Sequence, residues 1–221
     1  MTTTPFTDIL LIRHGETAWN AVRRIQGHLN IPLNEAGIKQ ADALGRALAT
    51  EKLDAIFSSD LQRASQTAAA IAQYQHQEFT QDPRLRERCF GGFEGVLYSD
   101  LQEKFPSAYQ DWQARNPEVR FPAAESNRDY VGESMREFHA RCLGVIEDYA
   151  ARFPGGKIAL VAHGGVLECA YRAAKHLGLN APREVTIFNA SINRFQISGS
   201  TIKLVQWGNI AHLDMRSLDE S

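Results

Sequence analysis

Short, continuous runs of apolar residues alternate along this chain with stretches in which apolar residues recur every three or four positions. Runs of the first kind occupy residues 7–13, 54–59 and 157–162, and each has the length of a buried β-strand. Residues 191–207 alternate between polar and apolar side chains around a Ser-Gly-Ser turn, which is typical of a β-hairpin. The pattern therefore predicts three buried strands and one hairpin.

Helical periodicity follows the first strand, in residues 34–50. Asn34 stands where an N-cap is expected, since its side chain can accept a hydrogen bond from a free backbone N–H group of the first turn. The repeat of apolar side chains predicts that one face of this helix is buried. The predicted face comprises Ile38, Ala41, Leu44, Ala47 and Leu48.

Two further helices are predicted directly after the other buried strands. Ser59 and Gln62 form a capping-box pattern that would begin the first of them, which extends to about Gln73. The second follows the third strand and ends near His176. Alternating strands and helices are characteristic of βαβ units. We therefore expect an α/β fold, a three-layer αβα sandwich with a mostly parallel central sheet.

The ends of the three buried strands carry the candidate chemistry. The first strand ends in Arg13 and His14, the second is followed by a helix with Arg63 in its first turn, and the third ends in His163. Ligands of open α/β sheets bind outside the carboxyl ends of the strands. Two arginines and two histidines that are distant in sequence are thus predicted to converge at one edge of the sheet.

Such a site suits a tetrahedral dianion such as phosphate. A guanidinium group can bind two oxygen atoms of an anion at once. Helices predicted to begin at Ser59 and Gly164 would add backbone N–H groups and the positive ends of their dipoles. The sequence therefore predicts a local phosphate site.

Composition places this site in an ordinary globular protein. Hydrophobic residues make up 43% of the chain, charged residues 23%, and the formal net charge is -2. Without an overall basic field, neither nucleic acid nor an anionic membrane is an expected partner. No apolar run approaches the roughly 18 residues of a membrane span, and no secretory signal is recognisable. Three widely spaced cysteines form no disulfide framework, so we expect a cytoplasmic protein.

The motifs carry a resemblance that covers residues 7–213. "LIRHGET" with Asn20, "SSDLQRASQTA", "LRERCFGGFEG", "VGES" and "LVAHGG" resemble, in this order, the motifs of the histidine phosphatase superfamily. The similarity is to its cofactor-independent branch, which also contains phosphoglycerate mutases that depend on bisphosphoglycerate. A single RHG would be a weak signal, whereas the full ordered set is a strong one.

The resemblance implies a role for each converging side chain. His14 would be the nucleophile and become a phosphohistidine, while Arg13, Arg63 and His163 would hold the phosphoryl oxygen atoms. Glu87 would protonate the leaving oxygen and then activate water as a base. His14 must be neutral to attack, and His163 beside an anion is expected to be largely protonated. No metal ion and no cofactor is implied.

Two further residues match family positions that contact the phosphate, Asn20 and the backbone of Gly27. Gly164 is a third binding candidate, through the backbone N–H groups of the helix predicted to begin there. We interpret Glu94 as structural. Residues 96–131 contain three prolines, many charges and several aromatic residues. We expect them to form a cap-like helical insertion over the site, within a single domain of residues 1–221.

The function predicted in this way is a metal-independent phosphomonoesterase that acts on small phosphorylated metabolites. The alternative is a 2,3-bisphosphoglycerate-dependent phosphoglycerate mutase. Mutase relatives carry a lysine and an adjacent arginine pair in the insertion, whereas here Lys104, Arg115, Arg120 and Arg128 are separated. A non-catalytic phosphate binder would be expected to lack His14 or Glu87, and a metal hydrolase lacks the support of an HExxH-like spacing. The oligomeric state stays open, with a homodimer among the options.

Overall fold

A six-stranded sheet forms the centre of the protein, whose computed structural model describes residues 5–213. The strands lie in the order β3-β2-β4-β1-β5-β6. The first four strands are parallel to their neighbours, whereas β5 and β6 form an antiparallel hairpin beside β1. The strands are β1 Thr7–Arg13, β2 Ala55–Ser58, β3 Thr80–Gln81, β4 Lys157–Ala162, β5 Ile192–Ser198 and β6 Thr201–Asn209.

Helices cover both faces of this sheet, which confirms the predicted three-layer αβα fold. α2 and α3 pack on one face, and α6 and α7 pack on the other. Within residues 5–213, no helix is both long and apolar enough to cross a membrane. The helices are α1 Ala18–Ala21, α2 Glu35–Leu48, α3 Gln62–Gln75, α4 Leu101–Lys104, α5 Pro106–Gln113, α6 Met135–Arg152 and α7 Gly164–Ala174.

Burial on both faces explains why the strands read as continuous apolar runs. In β1, Ile9 and Leu11 join the core under α6 and α7. Leu10 and Ile12 point the other way and join the core under α2 and α3. Successive side chains of a strand alternate between the faces, so a central strand in a three-layer fold needs apolar residues throughout.

The predicted start of the second helix is wrong. Helix α3 has Leu61 as its N-cap residue and begins at Gln62. The backbone N–H of Ser59 instead donates to the carbonyl of Val161 at 2.9 Å, which prolongs the pairing between β2 and β4. The Ser59 hydroxyl accepts the N–H of Leu61, the N-cap residue, at 3.3 Å, and the helix starts only after Leu61, so no helix dipole acts from Ser59.

Helix α2 begins as predicted but faces the core differently. The Asn34 side chain accepts a hydrogen bond from the Gly37 N–H at 2.8 Å, which confirms the N-cap. Ile38 is 57% exposed and Ala47 is exposed as well, whereas Gly37 and Gln40 are buried. The first turn packs against the backbone that follows β1, and this polar segment requires a glycine and a glutamine rather than bulky apolar side chains.

The segment 96–131 is helical only in its first half. A short 3₁₀ helix at Tyr98–Asp100 leads into α4 and α5, and residues 114–131 contain no helix. Pro117 and Pro122 lie in this second half, where each removes a backbone hydrogen-bond donor. A small cluster of buried apolar side chains joins the insertion to the loops beneath it, namely Ile25, Phe93, Leu101 and Phe121. The limits of the single domain stay a prediction, because residues 1–4 and 214–221 lie outside the described part.

Two helical glycines give a matched test of this packing. A Cβ atom added to Gly37 would overlap the carbonyl oxygen of Glu16, whereas one added to Gly144 in α6 meets nothing within 4 Å. We expect Gly37→Ala to lower the free energy of unfolding by about 1–3 kcal/mol, as overpacking does. Gly144→Ala should raise it by up to about 1 kcal/mol, the difference in helix propensity. Urea unfolding of both variants measures this, and shifts of the same sign would contradict the packing described.

Candidate active site

The ends of β1 and β4 bring two histidines together. The register pairs Arg13 with Ala162, and the N–H of His14 donates to the Ala162 carbonyl at 3.0 Å. His14 and His163 therefore leave the sheet at the same level, with ring centroids 5.1 Å apart. Both side chains are buried. The structure thus places these two predicted residues side by side.

Half-buried Arg13 and buried Arg63 lie at the same edge and are held by backbone carbonyl groups. Arg13 donates through Nη1 to the carbonyl of Ile187 at 2.5 Å. Arg63 donates to the carbonyls of Leu29 and Gly27 at 2.9 and 2.7 Å. Carbonyl acceptors orient each guanidinium group but do not neutralise its charge. The two positive charges are therefore available to an anion.

Several buried nitrogen atoms of this cluster have no hydrogen-bond partner among the described residues. They are Nε of Arg13, Nε of Arg63 and both ring nitrogens of His163. An unsatisfied buried donor costs about 1–3 kcal/mol, and more when it is charged. An anion with several oxygen atoms would satisfy these groups together, as the sequence predicts.

Burial and mutual repulsion shape the charges of the site. Burial lowers the pKa of Arg63 to about 10, and the negative charge of Glu87 opposes this shift. Burial, followed by the charges of Arg63 and Arg13, holds the pKa of His14 well below its usual range. His14 is therefore a neutral imidazole at pH 7.

One hydrogen bond selects the tautomer of His14. Its Nδ1 lies 2.6 Å from the carbonyl oxygen of Gly15, which can only accept. Nδ1 must then carry the proton, and Nε2 keeps its lone pair. A neutral imidazole with a free Nε2 among fixed positive charges is equipped to act as a nucleophile toward an electron-poor centre.

The charge of His163 depends on whether an anion is bound. Burial, and after it the Arg63 charge, lowers the pKa of His163 well below its usual range. The ring is therefore neutral until an anion supplies compensating negative charge. A protonated His163, as predicted from the sequence, would be a property of the complex with an anion.

Glu87 lies beside the first turn of α7. One carboxylate oxygen accepts the backbone N–H of Gly165 at 3.0 Å, and the other accepts that of Arg88 at 2.9 Å. A Cβ atom on Gly165 would overlap the Glu87 carboxylate. Because a carboxylate oxygen has two lone pairs, each one keeps a site for a proton or for a bound molecule.

The three further binding candidates line the same cavity, which has a volume of about 530 Å³. The side-chain oxygen of Asn20 caps α1 by accepting from the Thr17 N–H at 3.1 Å, so its amide nitrogen stays available as a donor. Gly27 has a φ of +50°, in the left-handed region that favours glycine. A Cβ atom added to Gly164 would make only ordinary van der Waals contacts, the nearest of them 3.7 Å from Nε of Arg13.

Glu94 has the structural role expected of it and connects the parts of the site. Its carboxylate accepts the N–H groups of His28 and Phe90 at 3.1 and 2.9 Å. The ring of His28 in turn donates to the Glu87 carbonyl at 2.8 Å. The loop that carries His28 also supplies the carbonyls that hold Arg63. Glu94 thus ties the position of Arg63 to that of Glu87.

The sequence reading missed a group of polar residues in the cavity wall. Glu168 and Arg172 lie on α7, at spacings of four and eight residues from Gly164, so helical periodicity could have placed them on the face of the site. Arg183 follows α7 in an irregular segment, where no periodic signal exists. Within residues 5–213, no group of three or more His, Cys, Asp and Glu side chains is arranged to hold a metal ion.

Comparisons with known proteins agree with this geometry. The sequence profile of the histidine phosphatase superfamily (branch 1) matches residues 9–210. A metal-independent phosphoserine phosphatase of Arabidopsis thaliana is 34% identical over 209 residues, covering 94% of this chain and 83% of that protein. A probable phosphoglycerate mutase, GpmB of Yersinia pestis, is 36% identical over 217 residues, covering 96% and 97%. The solved structure of Bacillus stearothermophilus YhfR superposes with a TM-score of 0.81 at 30% identity, covering 94% and 100%.

The charge states of the two histidines can be measured directly. We expect ¹⁵N NMR to show His14 and His163 as neutral rings at pH 6.5, because burial and the arginines lower the pKa of both. His14 should carry its proton on Nδ1. Inorganic phosphate should raise the pKa of His163. Assignment rests on His14→Gln and His163→Gln variants, and an imidazolium signal for His14 at pH 6.5 without phosphate would contradict the described electrostatics.

Proposed function

The chain belongs to branch 1 of the histidine phosphatase superfamily, and from this membership we propose that it is a phosphomonoesterase that acts through a phosphohistidine. Its relatives include a phosphatase and a probable mutase. The observation that carries the proposal is the neutral His14 ring, whose proton is held on Nδ1 by the Gly15 carbonyl. This arrangement leaves Nε2 free in a ring on which the charges of Arg63 and Arg13 act, and these are the groups that would hold a phosphoryl group.

In the first step, Nε2 of His14 attacks phosphorus and the bond to the leaving oxygen breaks. Charge on the three phosphoryl oxygens is held by fixed positive groups, the guanidinium groups of Arg13 and Arg63. Glu87 gives its proton to the leaving oxygen, because an alkoxide leaves poorly without one. The alcohol departs, and the phosphoryl group stays on His14.

In the second step, water attacks the phosphohistidine and Glu87 takes a proton from it. The bond between phosphorus and Nε2 breaks, inorganic phosphate is released, and His14 returns to its neutral form. The same carboxyl group therefore acts first as acid and then as base. Its two backbone hydrogen bonds, from Gly165 and Arg88, would hold it in place through both steps.

Size and charge of the cavity support a small phosphorylated metabolite as substrate. A volume of about 530 Å³ lies within the range of small-molecule sites. The excess of positive charge at its base would attract the phosphate group first. The leaving group would then extend toward the wall formed by residues 96–131.

A phosphoglycerate mutase is the second candidate, and the 36% identity to GpmB favours it. A mutase must hold its product alcohol and return the phosphoryl group to it. Of the four cationic residues of the insertion, only Arg115 lines the cavity. Lys104 and Arg120 form ion pairs with Asp100 and Glu137 instead. We therefore favour hydrolysis, and analysis of products from 3-phosphoglycerate distinguishes the two activities.

Replacement of the nucleophile tests the function. We expect His14→Ala to abolish turnover, because it removes the nitrogen atom that would bond to phosphorus. Rapid quenching of the wild-type enzyme with ³²P-labelled substrate should trap label that is acid-labile and base-stable. His139→Ala, which changes a half-buried histidine of α6 outside the cavity, should keep both turnover and label. Undiminished turnover in His14→Ala would contradict the proposal.

Leaving-group dependence tests Glu87. Glu87→Gln keeps the size of the side chain and an acceptor for one of its two backbone hydrogen bonds, but it cannot donate a carboxylic proton. We expect single-turnover phosphorylation by an alkyl phosphate to slow by about 10²-fold or more, within the range of general acid catalysis. p-Nitrophenyl phosphate, whose phenolate leaves without help, should lose clearly less. Equal losses for both esters would mean that Glu87 is not the acid.

A further inference from the structure

We propose that Arg183 forms a second anion subsite, which selects phosphomonoesters whose leaving group carries another negative charge, a carboxylate or a phosphate. This inference rests on the proposed hydrolase function and names its substrate class. Arg183 lines the cavity and its side chain is 49% exposed. It belongs to the connection between α7 and β5, not to the insertion in which mutase relatives carry their cations.

A shared carboxylate positions Arg183 without consuming its charge. One oxygen of Glu168 accepts Nε and Nη2 of Arg172, at 3.1 and 2.7 Å. The other accepts Nε of Arg183 at 2.8 Å and also its Nη2. Two guanidinium groups thus share one negative charge. Nη1 of Arg183 makes no hydrogen bond within residues 5–213, which leaves a donor and a net positive charge at the cavity wall.

The segment that carries Arg183 is anchored, so the subsite is preorganised. Buried Arg172 donates to the carbonyls of Gly178 and Ala181, each at 2.8 Å. Arg115, from the insertion, donates to the same Ala181 carbonyl at 3.0 Å. Three hydrogen bonds to this irregular connection restrict its movement. Arg183 therefore needs little reordering to receive an anion.

Helix α7 connects the two anion sites. Gly165, in its first turn, contacts the Glu87 carboxylate at the phosphate end of the cavity. Glu168, which holds Arg183, lies about one helical turn further along the same helix. His14, Gly165, Glu168 and Arg183 all line one cavity, so a leaving group bound at the phosphate end would extend along the α7 wall toward Arg183.

Charge in the rest of the cavity favours an anion over a neutral leaving group. Apart from Arg13, Arg63 and Glu87, the wall carries six arginines but only two carboxylates, in a chain with a formal net charge of -2. The carboxylates belong to Asp111 and Glu168, and the latter is paired. Burial, and also the positive charge of Arg183, lowers the pKa of Arg13. The two guanidinium groups are thus close enough to repel each other.

Matched substrate pairs test the subsite. 3-Phosphoglycerate and glycerol 3-phosphate differ only by a carboxylate in place of a hydroxymethyl group. Propane-1,3-diol bisphosphate and its monophosphate test a second phosphate in the same way. We expect wild-type kcat/KM to favour the member with the extra charge at least about tenfold in one pair, as one charge-assisted hydrogen bond allows. The pair with the larger preference identifies whether carboxylate or phosphate is the natural group.

Variants assign the preference to Arg183. Arg183→Gln should reduce the kcat/KM preference for the substrate with the extra charge to less than threefold, mainly through KM. Arg183→Lys should retain most of this preference. Arg120→Gln, which removes an exposed arginine paired with Glu137 outside the cavity, should leave it unchanged. Thermal unfolding of each variant establishes that it is folded.

Distinct results would overturn the subsite and the hydrolase function. A wild-type preference below threefold in both pairs, or a full preference in Arg183→Gln, excludes the subsite while hydrolysis stands. If no ester is hydrolysed, the binding affinities of the same substrate pairs, measured by calorimetry, test the subsite. A tenfold binding preference that depends on Arg183 then supports the subsite and contradicts the hydrolase, whereas equal binding excludes the subsite.

Discussion

Pairing between β1 and β4 places the reactive groups of this protein. The ladder continues beyond Arg13 and Ala162, since the N–H of His14 still donates to the Ala162 carbonyl. A slip of one residue would turn every side chain of β1 to the opposite face and would also separate the two histidines. The hydrophobic core fixes this register on both sides of the sheet. The geometry of the site is therefore a consequence of core packing.

A second constraint is the burial of positive charge without a matching acid. Arg63 is 1% exposed, yet its direct partners are the carbonyls of Gly27 and Leu29. Replacing a carboxylate partner with carbonyl groups satisfies donors but leaves the charge uncompensated, which destabilises the folded protein. The same choice leaves that charge free for an anionic ligand. The uncompensated charge thus lowers the stability of the folded protein and favours the binding of an anion, as is common at functional sites.

Close approach of backbone and carboxylates makes the site rigid. Gly27 and Gly165 each leave space that a carboxylate occupies, that of Glu94 in the first case and that of Glu87 in the second. Both carboxylates accept backbone N–H groups, so their positions follow from the main chain and not from flexible side chains. Such support limits the reorganisation needed when charge develops during a reaction.

Local chemistry determined the elements, whereas long-range contacts determined their faces and partners. The apolar run of β1 was predictable because burial on both faces of the sheet requires consecutive apolar residues. The cap at Asn34 was predictable because capping depends on residues only three positions apart. The helix start was predicted at Ser59, but the pairing of β2 with β4 reaches this residue through the carbonyl of Val161, about a hundred positions away, and the helix begins only after Leu61. Arg183 gave no signal, since irregular chain has no period, and only the folded α7 and its Glu168 place it in the cavity. The sequence by itself thus determined the three buried strands, the hairpin, the fold class and the residues that meet at the sheet edge, whereas the two-residue strand β3 gave no signal. Tertiary structure alone decided the charge of His163 and the wall of the cavity, because these depend on burial and on partners distant along the chain. It also fixed the tautomer of His14, because the conformation after β1 brings the adjacent Gly15 carbonyl to Nδ1.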